Sequence, residues 1–176
     1  MTEIFSIVNQ KGGVGKTTTC INLSAALAKA RRRVLLIDLD PQSNATKGCG
    51  TEVGDERSTV NDLLLNRRSF ADTVLHLDTF NFDILPSTPQ LTEAEVFLLS
   101  TNDKEFTLRK VISDVAPKYD YLIIDCPPSL NILTVNALTA SSGIIIPVQC
   151  EYFALQGLSE LVSTIDMITK SSNERT

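Results

Sequence analysis

Five short apolar runs are spaced along the chain, and segments with apolar residues at helical spacing fill most of the intervals between them. Ile4-Phe5-Ser6-Ile7-Val8 reads as a first strand and Val34-Leu35-Leu36-Ile37 as a second. Phe82, Ile84 and Leu85 mark a third within 82–86, Tyr121-Leu122-Ile123-Ile124 a fourth, and Gly143-Ile144-Ile145-Ile146-Pro147-Val148 a fifth. Three of these runs are apolar at consecutive positions, the pattern of parallel strands covered on both faces. Helical patterns are predicted over 17–30, 91–100, 103–116, 132–141 and 155–170; in the last, Leu155, Leu158, Leu161, Val162 and Ile165 share one face.

Strands alternating with helices imply βαβ units, and so an α/β fold: a mostly parallel, doubly wound sheet with flanking helices, expected as a single domain over 1–176. The segment 42–57, rich in Ser, Asn, Thr and Gly, is the longest predicted loop. It follows a strand end, where such folds bind their ligands. With 43% hydrophobic and 21% charged residues, the chain is neither disordered nor a disulfide scaffold. A net charge of −5 argues against a uniformly basic surface but leaves local patches open. No apolar run approaches the ~18 residues of a membrane span, and Met1-Thr2-Glu3-Ile4 does not begin like a signal peptide. The expectation is a soluble, cytoplasmic protein without membrane attachment. Cys20, Cys49, Cys126 and Cys150 form no closely spaced pair and, with one histidine, lack zinc-site spacing; all four are expected as buried thiols. His76 is expected on the surface or in a loop, without a catalytic role. Lys29-Ala30-Arg31-Arg32-Arg33 ends a predicted helix, where cations complement the C-terminal dipole.

The strongest chemical signal follows the first strand. Gln10-Lys11-Gly12-Gly13-Val14-Gly15-Lys16-Thr17-Thr18 runs directly into the first helix, which is the strand–loop–helix setting of a P-loop. Glycines let backbone N–H groups fold inward around an anion, and the helix N-terminus adds its positive end. Lys16 is placed to reach β- and γ-phosphate oxygens, the Thr17 hydroxyl to ligate Mg²⁺, and Thr18 to contact the α-phosphate. Gln10 replaces the first glycine of the usual pattern, and Lys11 stands beside it as an additional cation. Three aspartates, Asp38, Asp40 and Asp125, fall at predicted C-terminal strand ends, the same sheet edge as the phosphate loop.

Lys11-Gly12-Gly13-Val14-Gly15-Lys16-Thr17 resembles the deviant Walker A motif of the ParA/MinD ATPases. Leu36-Ile37-Asp38-Leu39-Asp40-Pro41-Gln42 resembles the second Walker-type motif of the ParA branch, and Tyr121-Leu122-Ile123-Ile124-Asp125-Cys126-Pro127-Pro128 its Walker B strand and switch. The stretch 147–157 is similar to Soj-type chromosomal ParA proteins. The resemblance assigns Asp125 to the magnesium shell, Asp40 to positioning the hydrolytic water, and Asp38 to a supporting place near Mg²⁺ or Lys16. It assigns Lys11 to the partner's phosphates across a nucleotide-sandwich dimer.

What the resemblance implies is an ATP-operated switch ATPase of chromosome or plasmid partition, with ATP and Mg²⁺ as cofactors. Its expected partners are a second copy in an ATP-dependent homodimer, a ParB-like protein, and non-specific DNA bound by the full-length protein, on the nucleoid in the cytoplasm. It also implies that adenine- and DNA-contacting parts lie beyond residue 176, leaving Arg31, Arg32, Arg33, Arg67 and Arg68 as the basic candidates within the chain. The alternatives are a MinD-like membrane-associated positioning ATPase, a relative of the nitrogenase iron protein, and a scaffold that binds ATP without hydrolysing it. Asp40-Pro41-Gln42 favours the ParA branch over the first, and the absence of cysteine from 131–136 disfavours the second. Lys16, Asp40 and Asp125 together count against the third.

Overall fold

The computed structural model describes residues 2–54, 56–151, 158–159 and 161–168. Its sheet has six strands in the order β3-β4-β2-β5-β1-β6. These are β1 (Glu3–Ile7), β2 (Val34–Asp38), β3 (Leu75–Leu77), β4 (Phe82–Leu85), β5 (Tyr121–Asp125) and β6 (Gly143–Ile145). All neighbours pair in parallel except the edge strand β3, which runs antiparallel to β4. The expected doubly wound α/β fold is therefore present.

Burial explains the patterning. Every residue of β2 is buried, as an unbroken apolar run requires when helices cover both faces of a sheet. Leu35, Ile37, Leu122 and Ile124 pack on one face against α5 (Leu91–Leu99), α6 (Thr107–Ile112) and α7 (Ile132–Ala140), through Leu98, Leu108, Leu133 and Ala137. Ile7, Val34, Leu36 and Ile123 pack on the other against α1 (Lys16–Lys29) and α2 (Asn44–Gly48), through Cys20, Ala28 and Ala45. Residues 161–168 are helical, with Leu161 and Ile165 in the first of these clusters; the rest of the predicted helix over 155–170 lies outside the described residues, apart from helical 158–159.

The departures from expectation are local. Within the loop predicted over 42–57 the chain forms α2, a five-residue helix too short to show a period. Two further short helices, α3 (Val60–Leu64) and α4 (Phe70–Thr73), begin at capping boxes built by Thr59 with Asp62 and Ser69 with Asp72. The helix predicted over 103–116 is divided: a 3-10 turn at Lys104–Phe106, α6, then a second 3-10 turn at Ala116–Lys118 containing Pro117. β6 stops at Ile145, two residues before Pro147, which has no N–H for a ladder. His76 is exposed as expected but sits in β3, with Nδ1 2.7 Å from Asp83 Oδ1.

Candidate nucleotide site

Parallel register brings the functional segments to one edge. Asp125 pairs with Ile7 on one side and Asp38 on the other, so the ends of β1, β5 and β2 stand side by side. From β1 the chain enters the glycine loop, in which Gly13 and Gly15 have φ of 73° and 91°, a region L side chains rarely adopt. Gly15 is the N-cap of α1, and no side chain caps that helix or places a negative charge in its first turn. Its free N–H groups and positive dipole end therefore stand ready for an external anion.

Gly12, Gly13, Gly15, Lys16, Thr17 and Thr18 line one wall of a cleft of about 380 Å³, and Asp40, Gln42, Asn44 and Pro128 line the rest. The sequence placed these loop residues and Asp40 at one site, and the structure brings them together. Lys16 is buried, and its Nζ donates to the Lys11 carbonyl at 3.2 Å, a bond that a phosphate oxygen can replace. Val14 belongs to the loop but is not among the residues lining the cleft. Lys11 turns to the other side: its exposed Nζ meets Gln149 Oε1 at 2.9 Å and Glu151 Oε2 at 3.0 Å.

Asp38 and Asp125 lie beneath the cleft, fully buried. Asp38 accepts from the Thr46 N–H at 2.8 Å, the Thr46 hydroxyl at 2.7 Å and the Asp40 N–H at 3.1 Å. Burial nevertheless pushes its carboxyl up to about 6, against the opposing pull of Thr46. Asp125 accepts from the Cys20 thiol at 3.4 Å through Oδ1, while Oδ2 has no hydrogen-bond partner among the described residues. Burial first, then the neighbouring Asp38 charge, raise its carboxyl to about 7, only partly offset by Thr17 and Cys20. Desolvation and Asp125 likewise push the Cys20 thiol well above its usual range.

An orphaned carboxylate oxygen in a buried, doubly acidic place, with the Thr17 hydroxyl alongside, fits a divalent cation. Among the described residues no three His, Cys, Asp or Glu side chains gather as a complete metal site. An ion here would therefore take its remaining oxygens from water and phosphate, as Mg²⁺ characteristically does.

Several residues at the site carried no sequence signal. Thr46 and Ser87 tie the β2 and β4 ends together; Gln149 and Glu151, within the Soj-like stretch, hold Lys11, a role the sequence did not assign them. Cys20 was read only as a buried thiol, which it is; its contact with Asp125 was not foreseen. The expectation of four buried thiols needs correction at Cys150, which is exposed; it follows β6 in a stretch without ladder pairing. The basic candidates are partly committed to structure: Arg33 pairs with Asp120 at 2.8 Å and Arg67 with Glu93 at 2.6 Å. Arg31 adopts a left-handed conformation just past α1.

A left-handed glycine loop, an uncapped helix start and acidic strand ends at one sheet edge define a P-loop nucleotide-binding protein. The AAA-domain family matches residues 2–176, and the chain belongs to it, within the ParA/Soj branch. It is 50% identical over 173 residues to the sporulation initiation inhibitor protein Soj of Bacillus subtilis, covering 98% of this chain and 68% of the relative. It is 49% identical over 171 residues to the chromosome partitioning protein ParA of Myxococcus xanthus, covering 97% of this chain and 60% of that one. Against another relative, from Pseudomonas putida and 53% identical over 173 residues, it covers 98% of itself and 66% of the relative's length. Among solved structures, cobyrinic acid a,c-diamide synthase from Mycobacterium smegmatis, with bound ATP analogue and magnesium, superposes with a TM-score of 0.91 at 37% identity. That match covers 97% of this chain and 69% of the synthase chain.

Proposed function

We propose that the chain is the nucleotide-binding part of a partition ATPase, an ATP-operated switch that hydrolyses ATP to ADP and phosphate. The observation that carries this reading is the cleft itself, where the uncapped start of α1, buried Lys16 and Asp40 face one volume. ATP would seat its phosphates on the glycine loop, with the Lys16 ammonium exchanging the Lys11 carbonyl for β- and γ-phosphate oxygens. When bound, Mg²⁺ supplies charge neutralisation across those phosphates; Thr17 would hold it, with Asp125 and Asp38 behind through water. Asp40, which lines the same cleft, orients the attacking water. Lys11 is free of its own phosphate site and is assigned to the partner's nucleotide in an ATP-dependent homodimer. A ParB-like protein that stimulates turnover, and non-specific DNA bound by the dimer on the nucleoid, complete the reading. The relatives named for chromosome partitioning support it.

The test is phosphate release and nucleotide binding in two variants. Lys16→Ala should weaken Mg-ATP binding by at least ~100-fold, because a charge-assisted contact to the phosphates is lost. Asp40→Ala should keep nucleotide affinity within about threefold while turnover falls by ~100-fold or more. Undiminished affinity in the first variant, or normal turnover in the second, would remove the respective role.

A further inference from the structure

The backbone between Asp38 and Ser43 leaves the sheet at the point where the nucleotide cleft begins. Leu39 makes the last ladder bond, its N–H reaching the Asp125 carbonyl at 2.9 Å. Beyond it the donors turn inward. The Asp40 N–H binds Asp38 Oδ1, Pro41 has none to offer, the Gln42 N–H binds Asp40 Oδ1 at 2.9 Å, and the Ser43 N–H binds the Asp40 carbonyl at 2.8 Å. Lys47 ties the far end, its Nζ and N–H donating to the Gln42 and Ser43 carbonyls at 2.8 and 3.0 Å, but at Asp40 itself these internal bonds leave the segment free to shift as a unit.

Two buried side chains prevent that. The Ser87 hydroxyl, just past β4, donates to the Asp40 carbonyl at 2.9 Å, with a longer contact of 3.5 Å to the Thr88 carbonyl. This is the one hydrogen bond to the Asp40 backbone that originates outside 38–43 among the described residues. The Ser87 N–H donates to Thr46 Oγ1 at 2.9 Å, and Thr46 in turn gives both its N–H and its hydroxyl to Asp38 Oδ2. Thr46 and Ser87 are each about 1% exposed, so these bonds form away from competing water. The chain of contacts runs from β4 through Ser87 and Thr46 to Asp38, and from Ser87 directly to Asp40.

We propose that Thr46 and Ser87 are positioning residues for hydrolysis, fixing the Asp40 backbone so that its carboxylate meets the attacking water in one geometry. The inference rests on the reading of Asp40 as the water-orienting residue. Neither residue lines the cleft, so neither touches the nucleotide directly. Their loss should therefore lower kcat and leave KM nearly unchanged, since a displacement of about 1 Å at a reacting group can cost ~100-fold in rate.

Four variants of the full chain test this by steady-state and single-turnover ATP hydrolysis, with nucleotide affinity and thermal melting measured in parallel. Thr46→Val keeps the shape but removes the hydroxyl that both donates to Asp38 and accepts from Ser87; kcat should fall ~10–100-fold with KM within about twofold. Thr46→Ser restores the hydroxyl and should recover kcat to within about threefold of the parent. Ser87→Ala removes the tether to the Asp40 carbonyl, with the longer contact to Thr88, and should lower kcat by about tenfold even where Thr46→Val fails to fold. Asp40→Ala separates the two levels. If it turns over normally, the water-orienting reading fails and the proposal with it. If it is inactive while Ser87→Ala keeps the parental kcat, the positioning role alone is overturned. A rise in KM matching the fall in kcat/KM would also overturn it, by showing that the contacts serve nucleotide binding.

Discussion

Asparagine in place of Asp125 should stabilise the nucleotide-free protein while disabling it. The carboxyl is fully buried, Oδ2 has no hydrogen-bond partner among the described residues, and the strand register sets Asp38 alongside. Its folded-state pKa is raised from 3.8 to about 7 by burial and then by the Asp38 charge. At about 1.36 kcal/mol per unit, holding this carboxylate ionised costs up to ~4 kcal/mol relative to the unfolded chain. The folded state binds the proton more tightly, so the penalty is absent at low pH, grows as pH rises from about 4 to about 7, and is complete above that. Asp38, raised to about 6, adds to the loss over the lower part of the same window. An amide carries no charge but pairs imperfectly in this place. Allowing roughly half of the limit gives a gain of ~2 kcal/mol near pH 8, or ~4–8 °C in Tm for a chain of this size. Calorimetric melting without nucleotide or magnesium, at about pH 5 and about pH 8, measures it directly. The variant should melt higher than the parent near pH 8, and the difference should shrink near pH 5. A variant that is less stable near pH 8, or a gain independent of pH, would refute the reasoning.

Gly15→Ala meets no atom within 4 Å, so its effect isolates the backbone at φ 91°. It should destabilise the fold by ~1–2 kcal/mol in urea unfolding and weaken Mg-ATP binding; a neutral result would mean the loop does not need the left-handed conformation. Lys11→Gln should leave stability within ~0.5 kcal/mol, because the Lys11–Glu151 pair is about half exposed on both sides. The same variant should bind ATP normally yet fail to form the ATP-dependent dimer in sedimentation, and a dimer of parental strength would remove the trans-acting role.

The parallel sheet was readable because β2 and β5 are apolar without a break up to their terminal aspartates, and a run of that kind has few destinations other than a doubly covered strand. The phosphate loop was readable because its glycines, lysine and threonine keep fixed spacing beside a strand and a helix. Elements held by tertiary contacts were not. α2 has no period to detect and exists because Ala45 and Thr46 are drawn under the sheet edge. β3 has three residues, paired to β4 by a tight turn through 78–81 in which Asn81 takes φ 56°. The short helices α3 and α4 did carry a local sign, Thr59 and Ser69 each followed three residues later by an aspartate. Within the site, residue types showed which side chains could touch phosphate. Thr46, Ser87 and Glu151 act through partners distant in sequence, and a single sequence does not display such pairings.

The position of β1 also fixes when the phosphate loop can take shape. β1 is the first strand of the chain, yet both its neighbours come late: Glu3 pairs with Tyr121, and Phe5 with Gly143. At ~5–20 residues per second, a ribosome takes roughly 6–24 seconds to travel from one partner to the other. Throughout that interval the loop leading into α1 has no sheet to project from, and Asp38 has no Asp125 beside it. The nucleotide cleft is thus among the last features the chain can assemble, although its first wall is among the first residues made. An arrangement so non-local folds slowly for its size and leaves apolar β1 uncovered in the meantime.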